Sequence, residues 1–405
     1  MRILITNTAL AQRAGSELYV RDVATALIER GHLPIVYSPI LGEVAREIRK
    51  ATVPVVDDLE KLSLAPDIIH GQHHLETMTA LLRFPRVPAV YLCHGWLPWE
   101  ETPPRFPRIL RYVAVDHTCR DRLIYEHAIP EERVQVLLNF VDLRRFHPRS
   151  PLPSQPKRAL LFSNAAKEET HLGAVREACM RAGLTLDVMG RNSGTASVRP
   201  EATLGDYDIV FAKGRCALEA LAVGAAVVLC DAVGAGPMVT LQEFEQLRAL
   251  NCGVRTLRSP LEPDIIKREI DRYNPRDASE VSRRVRATAG RDAAVDALLF
   301  LYRNVIEEYK HEKIFDFAPE EIATAAYLRW LSPTVKMRGQ VLNKREQFEE
   351  RCVQLQTELA AAHARTAELK AAATTPRPKS HALMRIIKLA RKSHRRGKNM
   401  EHAAT

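Results

Sequence analysis

An α/β chain of two tandem doubly wound domains with a helical extension is the fold class this sequence predicts. Strand-sized apolar runs alternate with helix-periodic stretches from residue 1 to about 150, and the alternation restarts after a proline-rich break. Beyond about residue 313 it gives way to a heptad repeat and then to a basic tail. Such alternation implies parallel, Rossmann-like sheets, because joining parallel strands requires a crossover long enough to hold a helix.

In the first domain, residues 1–150, strands are expected at Arg2–Thr6, Pro34–Tyr37, Asp67–His70, Ala89–His94, Tyr112–Val115 and Val134–Leu137. Between the first two, Glu17–Arg30 reads as a helix. Leu18, Val20, Val23, Leu27 and Ile28 line one face and Gly31 ends it. The stretch from Phe146 to Pro156, with four prolines, reads as the interdomain linker. The second domain, 157–312, is expected to hold strands at Ala159–Phe162, Thr185–Met189, Ile209–Ala212 and Ala226–Cys230, with helices near 170–182 and 216–223. A long helix, Arg291–His311, is expected to close it.

The extension, 313–375, carries Phe348, Leu355, Ala362 and Leu369 at d positions, with Cys352, Leu359, Thr366 and Ala373 at a. That pattern predicts a short coiled coil and hence a homodimer. Thr374-Thr-Pro-Arg-Pro378 ends it. In the tail, 376–405, nine Lys or Arg and no acid lie between Arg377 and Lys398. Leu383–Ala390 within it could rest its apolar face on an anionic membrane surface. A disordered, solubilising tail is the alternative.

A composition of 46% hydrophobic and 6% aromatic residues belongs to the soluble globular class, and no apolar run is long enough to span a membrane. A strand-like run directly follows Met1, so no signal peptide is expected. The seven cysteines are scattered and never form C-x-x-C, which points to reduced thiols rather than disulfides or a zinc site. The expected location is the cytoplasm, with peripheral contact at the inner membrane face through the tail. Net charge is +10, but the tail holds nearly all the excess, so the body offers no charge argument for nucleic acid.

One stretch concentrates chemistry: Asp208-Ile-Val-Phe-Ala-Lys-Gly-Arg-Cys-Ala-Leu-Glu219, running on through Gly224 to Asp231. It reads as strand, basic turn (Lys213-Gly214-Arg215), helix and second strand. A glycine turn at a helix start exposes N–H groups and the positive end of the helix dipole, which suits a phosphate. Lys213 and Arg215 add full charges, and Glu219 could accept from ribose hydroxyls. An ordinary strand–turn–helix with solvated basic side chains fits equally. His70, His73 and His74 invite a metal, but no carboxylate or cysteine stands at ligand spacing, so they read as a solvated loop.

Several segments, in order, resemble the GT-B-fold glycosyltransferases, closest to the retaining family 4 type, over residues 1 to about 312. Ala14-Gly-Ser-Glu17 resembles the family's G-G-x-E loop. Asp67-Ile-Ile-His70 and Tyr91-Leu-Cys-His-Gly95 resemble its paired strand ends. Tyr112 to His117, then Val134 to Asp142 and Phe146, resemble its central passage, and Ala217 to Gly224 its donor-binding helix. The resemblance implies a nucleoside-diphosphate sugar as donor substrate, held mainly by the second domain, and a glycan or lipid-linked acceptor held by the first. It places Glu219 at the ribose, Gly15 beside the donor phosphates, and His94 facing the transferring sugar as the catalytic candidate. Asn139 is expected to cap a turn at the hinge.

There are departures. The family's first E-x7-E glutamate falls at Phe211, its basic pair at Asn164 and Glu169, and Phe140 stands where a glycine follows the asparagine. Lys213, Arg215 or a shifted Lys167 are the expected substitutes for the diphosphate cation. Asp206-Tyr-Asp208 mimics a metal-binding D-x-D, but it leads into a buried strand. The expectation is therefore a metal-independent hexosyltransferase without a cofactor, serving surface-polysaccharide assembly with retained anomeric configuration. A nucleotide-sugar epimerase and a catalytically degenerate scaffold working through its coiled coil and tail are the rivals. An NAD-dependent enzyme lacks its G-x-G-x-x-G.

Overall fold

The computed structural model describes residues 1–311, 318–374 and 381–398. They divide into two compact units, Met1–Tyr327 and Leu328–Thr405. The first unit holds two sheets, one per lobe.

The first lobe begins with β1 (Arg2–Thr6), α1 (Gly15–Glu29), β2 (Leu33–Tyr37), α2 (Glu43–Lys50) and β3 (Val55–Val56). It continues through β4 (Ile68–Gln72), α3 (His74–Arg83), β5 (Ala89–Cys93), β6 (Ile109–Ala114), α4 (His117–Asp121) and β7 (Val134–Val136). Its seven strands pair in the order β3-β2-β1-β4-β5-β6-β7, with every pairing parallel. Ile3, Leu4 and Ile5 are fully buried, as are all five residues of β5, because helices cover both faces. The sequence did not reveal β3: two residues carry no period.

The second lobe runs from β8 (Arg158–Phe162) through α5 (Gly173–Arg181), β9 (Thr185–Met189), β10 (Ile209–Ala212), α6 (Gly214–Val223), β11 (Ala226–Asp231) and β12 (Gly234–Met238). Helices α7 (Phe244–Ala249), α8 (Pro263–Ile270) and α9 (Pro275–Thr288) follow. The sheet order is β12-β11-β10-β8-β9, parallel except at β12, which pairs antiparallel as an edge strand. That strand, Gly-Ala-Gly-Pro-Met, also escaped the sequence reading, since glycine and proline argue against a strand except at an edge.

The linker is anchored at its root. Asp208 accepts from the N–H groups of Lys157 and Arg158 and pairs with Arg149 at 3.1 Å, so the second carboxylate of the D-x-D look-alike serves the linker.

The next helix, α10 (Arg291–His311), corrects an expectation. It follows the second lobe in sequence but packs into the core of the first, where Val295, Leu298, Leu301, Tyr302 and Val305 join Ile3, Val20, Leu27 and Leu92. Its apolar stripe was legible; which sheet that stripe covers was not. The chain crosses between lobes twice, and the crossings are hydrogen-bonded: Val141 N–H donates to Ala289 O at 2.8 Å and Arg291 N–H to Val141 O at 3.0 Å.

Helix α11 (Ala318–Thr374) begins in the first unit and supplies most of the second, which also holds α12 (His381–Lys398). Val341, Phe348, Leu355, Leu359 and Leu369 are exposed along α11, and Met384, Ile386, Ile387 and Leu389 along α12. The expected breaker prolines, Pro376 and Pro378, lie outside the described residues. No helix among those described is long and apolar enough to cross a membrane.

Candidate functional site

The two sheets present the carboxyl ends of their strands to a shared cavity of about 590 Å³. From the first lobe it is lined by Gly15, Ser16, Tyr19, His94, Trp96, Glu101 and Asp116, and from the second by Ser163, Asn164, Lys213, Gly214, Arg215 and Asp231. Gly15 follows β1 and Ser163 follows β8, the strands at which each sheet reverses its winding order. Open α/β sheets bind ligands at that point.

The start of α6 has the geometry expected of a phosphate seat. Gly214 sits at φ +55°, a left-handed conformation that only glycine adopts without strain. Its N–H donates to Cys252 O at 2.8 Å. Lys213 occupies the N-cap position and its side chain caps nothing, so the N–H groups of Arg215 and Cys216 keep no partner among the described residues. The basic side chains are already paired. Lys213 Nζ meets Asp231, which also accepts from Ser163 Oγ at 3.3 Å. Burial works against the charge on Asp231, but Lys213 outweighs it and holds the carboxyl below its usual range. Arg215 donates Nε to Glu219 at 2.8 Å and Nη2 to Asp22 on α1, in the other lobe. Glu219 is buried behind the turn and does not line the cavity; burial raises its pKa and Arg215 restrains the rise.

On the opposite wall, His94 is half-buried, with the Tyr19 ring edge-on at 4.6 Å between centroids. Its main-chain N–H donates to Glu101 Oε2 at 2.8 Å, and its buried Nε2 has no hydrogen-bond partner among the described residues. Burial, reinforced by His73 and His70, keeps the imidazole well below its usual pKa, so it is neutral near pH 7. Glu101 is 4% exposed, and burial pushes its pKa up to about 7. Arg122 pins the intervening loop through Gly95 O at 2.5 Å and Pro98 O at 3.1 Å.

The structure brings together Gly15, His94, Lys213, Gly214 and Arg215 on the cavity wall, with Glu219 directly behind. Lys167 is not among them; it is exposed and caps the turn at 168–172. Phe211 is fully buried in β10. Asn139 lines the cavity, and its main-chain carbonyl accepts from Arg248; among the described residues its side chain forms no cap. The solvated loop expected at His70, His73 and His74 is corrected too, because all three are buried. His70 bonds Tyr302 from α10, His73 Nε2 lies 3.6 Å from Glu101 Oε1, and His74 bonds Tyr327 at 2.7 Å. Their partners stand far away in the sequence or on α10 and α11, beyond the reach of spacing arguments. Sequence reasoning also missed Tyr19, Asp22, Glu101, Asp116 and Asp231. Only Asp231 carried a signal, as the charged end of an apolar strand adjoining the strand that leads to Lys213.

Residues 13–145 match the model of Glycosyltransferase Family 4. No curated protein matches the sequence. Among solved structures, a glycosyltransferase from Rickettsia africae superposes with a TM-score of 0.57 at 16% identity, covering 75% of this chain and 98% of that one. Anabaena HepE, solved with UDP and glucose, gives 0.54 at 16% identity over 75% and 100%. Sucrose-phosphate synthase from Thermosynechococcus elongatus gives 0.54 at 13% over 76% and 99%. The fold is of the GT-B type, as the sequence motifs implied, and the likeness to family 4 in the first lobe holds.

Proposed function

We propose that this chain is a glycosyltransferase of hexosyl class that moves a sugar from a nucleoside-diphosphate donor to a carbohydrate or lipid-linked acceptor in surface-glycan synthesis. One observation carries the reading: the uncapped start of α6, with Lys213 and Arg215, faces a cavity whose opposite wall is His94. The family match over residues 13–145 and the UDP and glucose held by HepE support it.

The donor diphosphate would lie against the N–H groups of Arg215 and Cys216. The leaving charge would be met by Lys213 and Arg215, protein groups in the role a metal plays elsewhere. Gly15, with no side chain to intrude, lets the first lobe's backbone approach the phosphates from the start of α1. His94, neutral and on the cavity wall, is read as the hydrogen-bonding partner of the sugar or its phosphate. In a retaining front-face reaction, the C1–O bond to the leaving phosphate breaks as the acceptor oxygen forms its bond on the same face. That phosphate oxygen takes the acceptor's proton. Lys213→Ala is expected to lower transfer by about 10²–10³-fold, the scale of losing one oxyanion-stabilising donor. Turnover at the wild-type rate with each nucleotide sugar tried would rule the role out.

Two observations favour a second reading, a scaffold that has lost catalysis: both cations of the turn are already ion-paired, and Phe211 stands where the family resemblance implies a sugar-contacting carboxylate. Calorimetry with UDP- and GDP-sugars separates the two. Donor binding with slow hydrolysis supports the enzyme, whereas no heat with either series supports the scaffold. For α11 and α12 we read a homodimer seam and a peripheral contact with anionic lipid at the inner membrane face.

A further inference from the structure

Arg215 is built into a buried charge network that joins the lobes. Its Nε is held by Glu219 Oε1, one turn further along α6, and its Nη2 by Asp22 Oδ2 on α1, 193 residues away. The other oxygen of Asp22 accepts from Arg21 Nε and Nη2 at 2.8 and 2.7 Å, and Arg21 Nη1 reaches Glu47 Oε2 at 2.9 Å. Asp22, Arg215 and Glu219 are 4%, 13% and 6% exposed at their side chains. Two guanidinium nitrogens are thus fixed by carboxylates at a defined angle. The third, Nη1, makes no hydrogen bond among the described residues, and the residue lines the cavity.

A guanidinium is a planar fork, so two carboxylates on two edges determine where the third edge lies. Glu219 alone, on the same helix, leaves the side chain free to swing about one contact. The second point of attachment comes from the opposite lobe.

We infer that Asp22 is a positioning residue for the donor: reaching across the cleft, it and Glu219 hold Arg215 so that Nη1 is the edge offered to the diphosphate. The proposal rests on the transferase reading and adds to it a requirement from the first lobe. Arg215 is fully set only when α1 and α6 are in contact, so the affinity of the second lobe for a nucleoside diphosphate depends on a carboxylate of the first. Asp231 serves Lys213 from within the same lobe and imposes no such requirement.

The test is titration calorimetry of the full chain with UDP and with GDP, on wild type, Asp22→Asn, Arg215→Ala and the double variant. Asp22→Asn is expected to weaken the nucleotide that binds by about tenfold or more, and to have no further effect once Arg215 is alanine. Wild-type affinity in Asp22→Asn overturns the inference, as do losses that simply add in the double variant, since Asp22 would then act other than through Arg215. Wild type binding neither nucleotide overturns the transferase reading and the inference with it. Should Asp22→Asn fail to fold, Arg215→Lys carries the test. It keeps the charge but cannot bridge two carboxylates while offering a third edge, so it is expected to lose about tenfold, and undiminished affinity overturns the proposal.

Discussion

Glu101 shows how far a single residue's behaviour departs from its type. In the folded chain it holds its proton to about pH 7, against an ordinary value of 4.5, because burial penalises its charge more than the His94 N–H and Arg122 relieve it. Between those values the native state binds the extra proton, so stability falls as pH rises through the window. Glu101→Gln keeps an acceptor for the His94 N–H without the charge. It should give no advantage at pH 4 and a gain on the order of 3 kcal/mol at pH 8 in urea denaturation. Parallel pH profiles for the two proteins would show that Glu101 ionises freely. At this scale the sequence was only partly legible. Motif order located Gly15, His94 and the Lys213–Arg215 turn, because a backbone turn is a local event. Asp22, Glu101 and Asp231 gain their roles from neighbours that only the fold supplies. Arg215 illustrates the difference: its place at the start of α6 was readable, but its pairing with Asp22 across the cleft was not.

Among the elements, the expected strands and helices followed period and length, since buried parallel strands read as apolar runs and amphipathic helices as stripes. By contrast, β3, β12 and helices α2, α3, α4, α7, α8 and α9 were not read from the sequence. What periodicity cannot show is where elements approach closely. The end of β9 meets the loop after β8 at Gly190, where an added Cβ would stand 1.9 Å from Ser163 O. Asn164 completes the contact by accepting from Arg191 N–H at 3.1 Å. Gly190→Ala is therefore expected to cost more than about 2 kcal/mol, by chemical denaturation, and to weaken nucleotide binding as Ser163 is driven off Asp231. A fully stable variant with normal affinity would mean that the loop is not seated by this contact.

For the whole molecule, the two compact units make a truncation series informative. Flotation with liposomes rich in anionic lipid should be lost on removing residues 376–405, and removing 328–405 should also turn a dimer into a monomer in sedimentation. Equal flotation of the full and shortened chains, or a full-length monomer, would remove the corresponding role. The second unit's helices were legible as heptads and a basic amphipathic run.

The return of α10 to the first lobe bears on biosynthesis. Tyr302 and its neighbours fill the centre of a core whose strands were made some two hundred residues earlier. A ribosome that has extruded all of β1–β7 has thus released a lobe with its apolar centre uncovered. It stays so until translation has passed the entire second lobe, which is complete in its own sheet by then. The lobe begun first is finished last, so the nascent chain, rather than the mature protein, is the form most in need of a chaperone.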